Sequence, residues 1–254
     1  MEKPPTKWVP RRTYTPAIAP VSEAVSRPKM FMIRHLERID MSDNTRSPEF
    51  EEWKKIREDY DIKINPYLDT HISISRLVEN LEDKKIDHIV CSPYVRCIQT
   101  AILVVNSREL NITDKTIHID NKLGELVHPS LLFEKPHVVD RVFENSKRFV
   151  EEKYSSMTFT LDNSDNLPLT FEEFETDEEY DKRILNELKE IRRKYSGNIL
   201  IITHADAHKQ FTADRKGMDF GRVYNINLDM DGGYKQKYLK YKSKYLKLKY
   251  KLKF

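Results

Sequence analysis

Arg34 and His35 stand side by side directly after the apolar run KMFMI (29–33), and a second histidine, His204, follows NILIIT (198–203) in the same way. Between them in the chain lie SPYVRCIQTA (92–101), which carries Arg96, and LGEL (123–126), which carries one acid. Buried strands seldom run straight into an arginine and a histidine. Arginine holds oxyanions through paired, charge-assisted hydrogen bonds that lysine makes less well. Imidazole is a nucleophile and proton carrier near neutral pH. Singly, each residue is weak evidence, since a lone strand-end histidine is commonly structural and an arginine in a helix is commonly a solvated charge. Together they suggest a site for an anion, provided the fold brings them to one place.

The elements that would do so are legible. Short apolar runs at 29–33, 86–92, 116–120 and 198–204 read as buried strands, and 222–229 alternates like an edge strand. Residues 71–85 and 93–107 have helical character, the second opening on Pro93. Residues 177–197 give the clearest helix, with a stripe of Tyr180, Ile184, Leu188 and Ile191, acids at its start, bases at its end and Gly197 after it. Strands alternating with helices predict a three-layer α/β/α sandwich with a mainly parallel sheet. In such sheets ligands bind beyond the carboxyl ends of the strands, where Arg34, His35 and His204 all fall. Residues 128–176 break the alternation, contain Pro129, Pro136 and Pro168, and read as a cap inserted over one end of the sheet.

In that order these pieces resemble the histidine phosphatase superfamily, of phosphoglycerate-mutase-like fold. Arg34-His35-Leu36 stands where that family has Arg-His-Gly, and SPYVRCIQTA fits its Ser-Pro-x-x-Arg-x-x-Gln-Thr-Ala at every fixed position. Glu125 matches the mid-chain carboxylate by order, and His204 the late strand-end histidine. HLERID places Glu37, Arg38 and Asp40 in the register Arg-His-Gly-Glu-Arg-x-Asp, as in the branch of T-cell-signalling suppressor and ecdysteroid-phosphate phosphatases. The Ser-x-Trp-Asn run of glycolytic mutases is absent. The resemblance covers about residues 29–230 and implies a metal-independent phosphomonoester hydrolase with no cofactor, acting on a phosphorylated small molecule or phosphoprotein. On it, His35 attacks phosphorus and forms a phosphohistidine. Arg34, Arg38 and Arg96 bind the phosphoryl oxygens, and His204 donates to the same group. Glu125 protonates the leaving oxygen, with Asp206 as its rival. Glu37 and Asp40 take supporting roles, and His71, His88, His118, His128, His137 and His208 are read as ordinary histidines.

Two departures from the pattern bear on activity. Leu36 replaces the glycine, so either its backbone tolerates a side chain or its isobutyl group narrows the pocket. The family's Leu-Thr-x-x-Gly before the first helix reads Leu68-Asp69-Thr70-His71-Ile72. A phosphate-binding module with a decayed site is therefore the alternative to an enzyme.

The chain of 254 residues, 33% charged and 39% hydrophobic, suits one soluble globular domain. At that length roughly 70% of the unfolded surface can be buried, so no disulfide or metal staple is required. Two isolated cysteines, Cys91 and Cys97, suggest reduced thiols and a cytoplasmic setting. No apolar run approaches a membrane span, and the N-terminus lacks a secretory apolar core. Residues 1–28 hold six of the twelve prolines and read as an extended arm before a domain at 29–233. Residues 234–254 carry nine lysines and no acid, so the rest of the chain has a net charge of −6 against +3 for the whole. That Lys/Tyr/Leu tail could contact nucleic acid, anionic membrane or acidic proteins, which makes a basic-tailed adaptor the third reading.

Overall fold

The computed structural model describes residues 29–38, 69–127, 148–152, 154–162, 174–207, 211 and 219–228. The arm at 1–28, Leu68, Asp40, the greater part of the insertion, His128, His137, His208 and the basic tail lie outside the described residues.

The strands are β1 (Met30–Arg34), β2 (Lys85–Ile86), β3 (His88–Cys91), β4 (Asn111–Ile112), β5 (Ile117–Asp120), β6 (Phe159–Asp162), β7 (Ile199–Thr203) and β8 (Val223–Ile226). Helices α1 (Asp69–Leu81), α2 (Val95–Asn106) and α3 (Asp177–Lys194) lie between them, with a short 3₁₀ turn at Asn121–Leu123. Six strands form one sheet in the order β6-β5-β3-β7-β1-β8, and β2 and β4 pair separately. All pairings in the large sheet are parallel except β1 with β8. The expected α/β architecture with a mainly parallel sheet therefore forms.

Strand periodicity splits the core into two layers. Phe31 and Ile33 of β1, with Leu200 and Ile202 of β7, face Leu77 and Leu81 of α1 and Ile98 and Ala101 of α2. Met30, Met32, Ile199 and Ile201 face the opposite way, onto Tyr180, Ile184, Leu188 and Ile191 of α3. That double burial is why β1 and β7 read as continuous apolar runs rather than alternating ones. A capping box starts α3: the Thr176 hydroxyl accepts from Glu179 N–H at 3.2 Å, and the Glu179 carboxylate accepts from Thr176 N–H at 2.8 Å.

The stretch 128–176, expected to lie over the sheet, contributes β6 to the sheet itself, parallel to β5 with Ile117 opposite Phe159. Pro93 sits before the helix rather than in its first turn, because Tyr94 is the N-cap of α2. No helix among the described residues is long and apolar enough to cross a membrane.

Gly221 leads into β8 with φ of +72°, and a Cβ there would meet the Ser73 carbonyl oxygen at 2.4 Å. Both facts demand glycine. Gly221→Ala is expected to cost about 1–3 kcal/mol, measured as a fall in urea midpoint. An unchanged midpoint would show that the turn relaxes freely.

Candidate active site

The site is assembled by strand register. Arg34 is opposite Thr203 in the β1–β7 ladder, and Cys91 is opposite Ile202 in the β3–β7 ladder. The ladders continue one step past the strand ends, with His35 N–H donating to Thr203 O and Ser92 N–H donating to Ile202 O, each at 2.9 Å. His35, His204 and Ser92 are thereby neighbours at the carboxyl edge. The rings of His35 and His204 lie edge to face with centroids 5.5 Å apart.

Hydrogen bonding fixes each ring's tautomer. The Leu36 carbonyl can only accept, so His35 Nδ1 donates to it at 2.7 Å and Nε2 keeps its lone pair. Guanidinium can only donate, so His204 Nδ1 accepts from Arg96 Nη2 at 3.1 Å, and His204 Nε2–H donates to Ser92 Oγ at 2.8 Å. Both rings are buried, and burial followed by the positive charge of Arg96 holds each well below the usual histidine range. Both are therefore neutral near pH 7.

Arg96 occupies the first turn of α2 and is only 1% exposed. Its guanidinium stacks on the Tyr94 ring at 4.4 Å and bonds the Glu125 carboxylate through Nη2. The other oxygen of Glu125 lies 3.9 Å from His204 Nδ1. Arg34 is half-buried with its guanidinium over the Phe220 ring at 4.1 Å, and burial and the nearby charge of Arg38 lower its pKa. Arg38 and Glu37 are half-buried. Asp206 is half-buried and acts on Arg34 through its charge, after Glu125 and Arg96. The structure thus brings Arg34, His35, Arg96, Glu125 and His204 together, with the charge of Arg38 beside them. Glu125 contacts both Arg96 and His204.

Leu36 is fully buried. Its N–H donates to Thr100 Oγ1 at 3.0 Å, and that hydroxyl donates to Arg96 O at 2.7 Å. The residue that departs from the glycine pattern therefore holds the His35 ring through its carbonyl and ties this backbone to α2 through its N–H.

Several contributors were not assigned from sequence. Ser92 and Thr100 lie within SPYVRCIQTA yet had no stated job, and Phe220 lies in no motif. Arg183, on α3, lies in no motif. It bonds Glu175 through two parallel contacts of 2.7 Å and donates to the carbonyls of Lys122, Gly124 and Glu125 at 2.6, 3.2 and 3.3 Å. Glu175 in turn accepts from Val127 N–H at 3.2 Å. This clamp fixes the loop that presents Glu125. Its only sequence signal was a polar residue beside Ile184, within the buried stripe.

The two neutral histidines make stability depend on pH. Their folded pKa values lie below the unfolded value of about 6.5. Below that pH the unfolded chain binds more protons, so stability falls with acid and is level above it. Each histidine should contribute up to about 1.4 kcal/mol per pH unit. Urea melts at pH 7.5, 6.5 and 5.5 should show this decline well above the range where carboxylates protonate. A flat profile would mean that the rings are accessible to protons.

No family model matches the chain, and no curated protein matches it in sequence. Among solved structures, it is similar to the alpha-ribazole phosphatase from Shigella flexneri, at 18% identity over 78% of this chain and 90% of that one, with a TM-score of 0.43. It is also similar to the ecdysone phosphate phosphatase from Bombix mori in complex with tungstate, at 18% identity over 72% and 75%, with a TM-score of 0.48. The phosphoglycerate mutase from Bacillus anthracis str. Sterne is similar at 14% identity over 78% and 88%, with a TM-score of 0.43.

Proposed function

We propose that the chain is a phosphomonoester hydrolase that works through a phosphohistidine on His35, without a metal. The observation that carries this reading is the pair of opposite tautomers. His35 keeps a bare Nε2 on a buried, neutral ring, and the adjacent ring, His204, accepts from an arginine. A neutral imidazole can approach a phosphate dianion without charge repulsion. Arg34, Arg38 and Arg96 supply the positive charge that the equatorial oxygens need.

As the phosphate dianion settles against Arg96, the Glu125 carboxylate takes up a proton from solvent. Nε2 of His35 then forms a bond to phosphorus as the ester oxygen–phosphorus bond breaks, and Glu125 gives that proton to the departing oxygen. Glu125, now a carboxylate, takes a proton from water that attacks phosphorus, releasing inorganic phosphate and restoring His35. The Leu36 carbonyl accepts from Nδ1–H throughout and steadies the positive charge that develops on the phosphorylated ring. His204 accepts from Arg96 on Nδ1 and so orients that guanidinium toward the phosphoryl oxygens. The substrate is a phosphate ester of a small molecule or of a protein.

The test is turnover of a simple aryl phosphate by the full chain with excess EDTA present. Saturable release of the phenol, unchanged by the chelator, is expected. Phosphate binding without turnover would instead support the binding-module reading.

A further inference from the structure

Away from the phosphate pocket, His88, Asp114 and His118 converge. One ligand atom from each lies within 4.8 Å of the other two. Register brings the histidines together: Val90 is opposite His118 in the β3–β5 ladder, so His88, two residues before Val90, points to the same face. Asp114 sits in the turn before β5. Its Oδ1 accepts from Thr116 N–H at 2.9 Å, which turns Oδ2 toward the two rings. Oδ2 lies 3.7 Å from His88 Nδ1 and 3.8 Å from His118 Nε2.

Those distances are too long for hydrogen bonds, and His88 Nδ1 is buried with no hydrogen-bond partner among the described residues. Two nitrogens and a carboxylate oxygen are therefore turned toward a common point without bonding one another. Around a tetrahedral zinc ion, with bonds of about 2.0–2.2 Å, neighbouring ligand atoms stand about 3.3–3.5 Å apart. A shift of a few tenths of an ångström by Asp114, which is 38% exposed, would bring its oxygen to that spacing from each ring, and rotation of the two rings, whose nitrogens stand within 4.8 Å of each other, would complete the geometry. The far side of His118 is already braced, with Nδ1 on Thr160 Oγ1, its neighbour across the β5–β6 ladder. Such a bond fixes which nitrogen faces the ion. Tyr195 packs against both rings, at 4.9 and 4.8 Å, and walls one side.

We propose that His88, Asp114 and His118 form a binding site for a divalent transition-metal ion of the zinc type, with water completing the coordination. Four residues of extended chain, about 13 Å, separate His88 from Ser92 in the phosphate pocket. The ion would thus join β3, β5 and the 113–116 turn and take no part in phosphoryl chemistry.

The experiment is a titration of the tag-free full chain with Co²⁺ and Zn²⁺. It is read by visible absorption of bound Co²⁺, by calorimetry and by thermal midpoint. One equivalent is expected to bind, giving the visible absorption of low-coordinate Co²⁺, and Zn²⁺ should raise the midpoint. Asp114→Ala, a partly exposed change that leaves both rings in place, should weaken binding by at least about 10-fold and abolish the shift. Thr160→Val, which keeps all three ligands, should weaken it by about 10–100-fold. Absence of stoichiometric binding to the wild type, or binding unchanged in both variants, would overturn the proposal.

Discussion

His35→Ala is expected to lower turnover by roughly 10⁴-fold or more while leaving the fold and phosphate binding in place. The ring is buried, its Nδ1–H bond goes to the next residue's own carbonyl, and it meets the more distant His204 and Phe220 through ring contacts at 5.5 and 6.1 Å, which alanine gives up without stranding a hydrogen-bond partner there. The Arg34 guanidinium lies over Phe220, and that of Arg96 stacks on Tyr94 and bonds Glu125, contacts that do not pass through His35. Alanine therefore removes the nucleophile and keeps the anion clamp. The companion measurement is a rapid quench of the wild type with radiolabelled aryl phosphate. Label should remain on the protein after base treatment and leave it in acid, as a phosphoramidate does. His35→Ala should carry none. Near-normal turnover by His35→Ala would falsify the nucleophile assignment, even with the fold intact.

How much of this was readable before the structure depended on which force shaped each element. β1 and β7 were legible because both faces are buried, which leaves an apolar run with a polar stop, and the stop residues are the site. α3 was legible because its stripe, its acidic start and its basic end marked the same segment. β6 was not. Residues 159–162, FTLD, are a short edge strand with ordinary polar flanks, and only pairing with β5 makes them a strand. β2 and β4 are two residues each, below what any periodicity can register. In the site, residue types could nominate Glu125 and Asp206 alike, because order along the chain does not measure distance. The contacts of Glu125 with Arg96 and His204 depend on the turn at Asn121–Leu123 and on the Arg183–Glu175 clamp, whose parts lie more than 45 residues from Glu125 in sequence. Leu36 was the reverse case. Its type left open a tolerant backbone or a narrowed pocket, whereas what the structure adds is a buried side chain and a backbone that holds the His35 ring. His88 and His118 looked ordinary because their relation to Asp114 is set by strand register rather than by spacing.

Arg96→Met should separate function from stability. Arg96 is 1% exposed and lies near Arg34, whose pKa is lowered by burial and then by the charges of Arg38 and Arg96. A buried cation among like charges carries a desolvation and repulsion cost that its bond to Glu125, which is 18% exposed, offsets only in part. Methionine fills similar volume without charge. The thermal midpoint is therefore expected to stay level or rise. Turnover should fall by roughly 10²–10³-fold, because a fixed donor to the phosphoryl oxygens is gone, a loss of about 3–4 kcal/mol in the transition state. A third readout follows from the histidines. Burial is the first cause of their low pKa values, and Arg96 is the second. Without that charge both pKa values rise, so the acid limb of the residual kcat/KM profile should move to higher pH. Arg96→Lys keeps the charge but not the planar five-donor guanidinium, so it should hold the acid limb near its wild-type position while recovering little of the rate. A variant that unfolds readily yet turns over normally would make Arg96 a structural residue, and the anion clamp would have to be built without it.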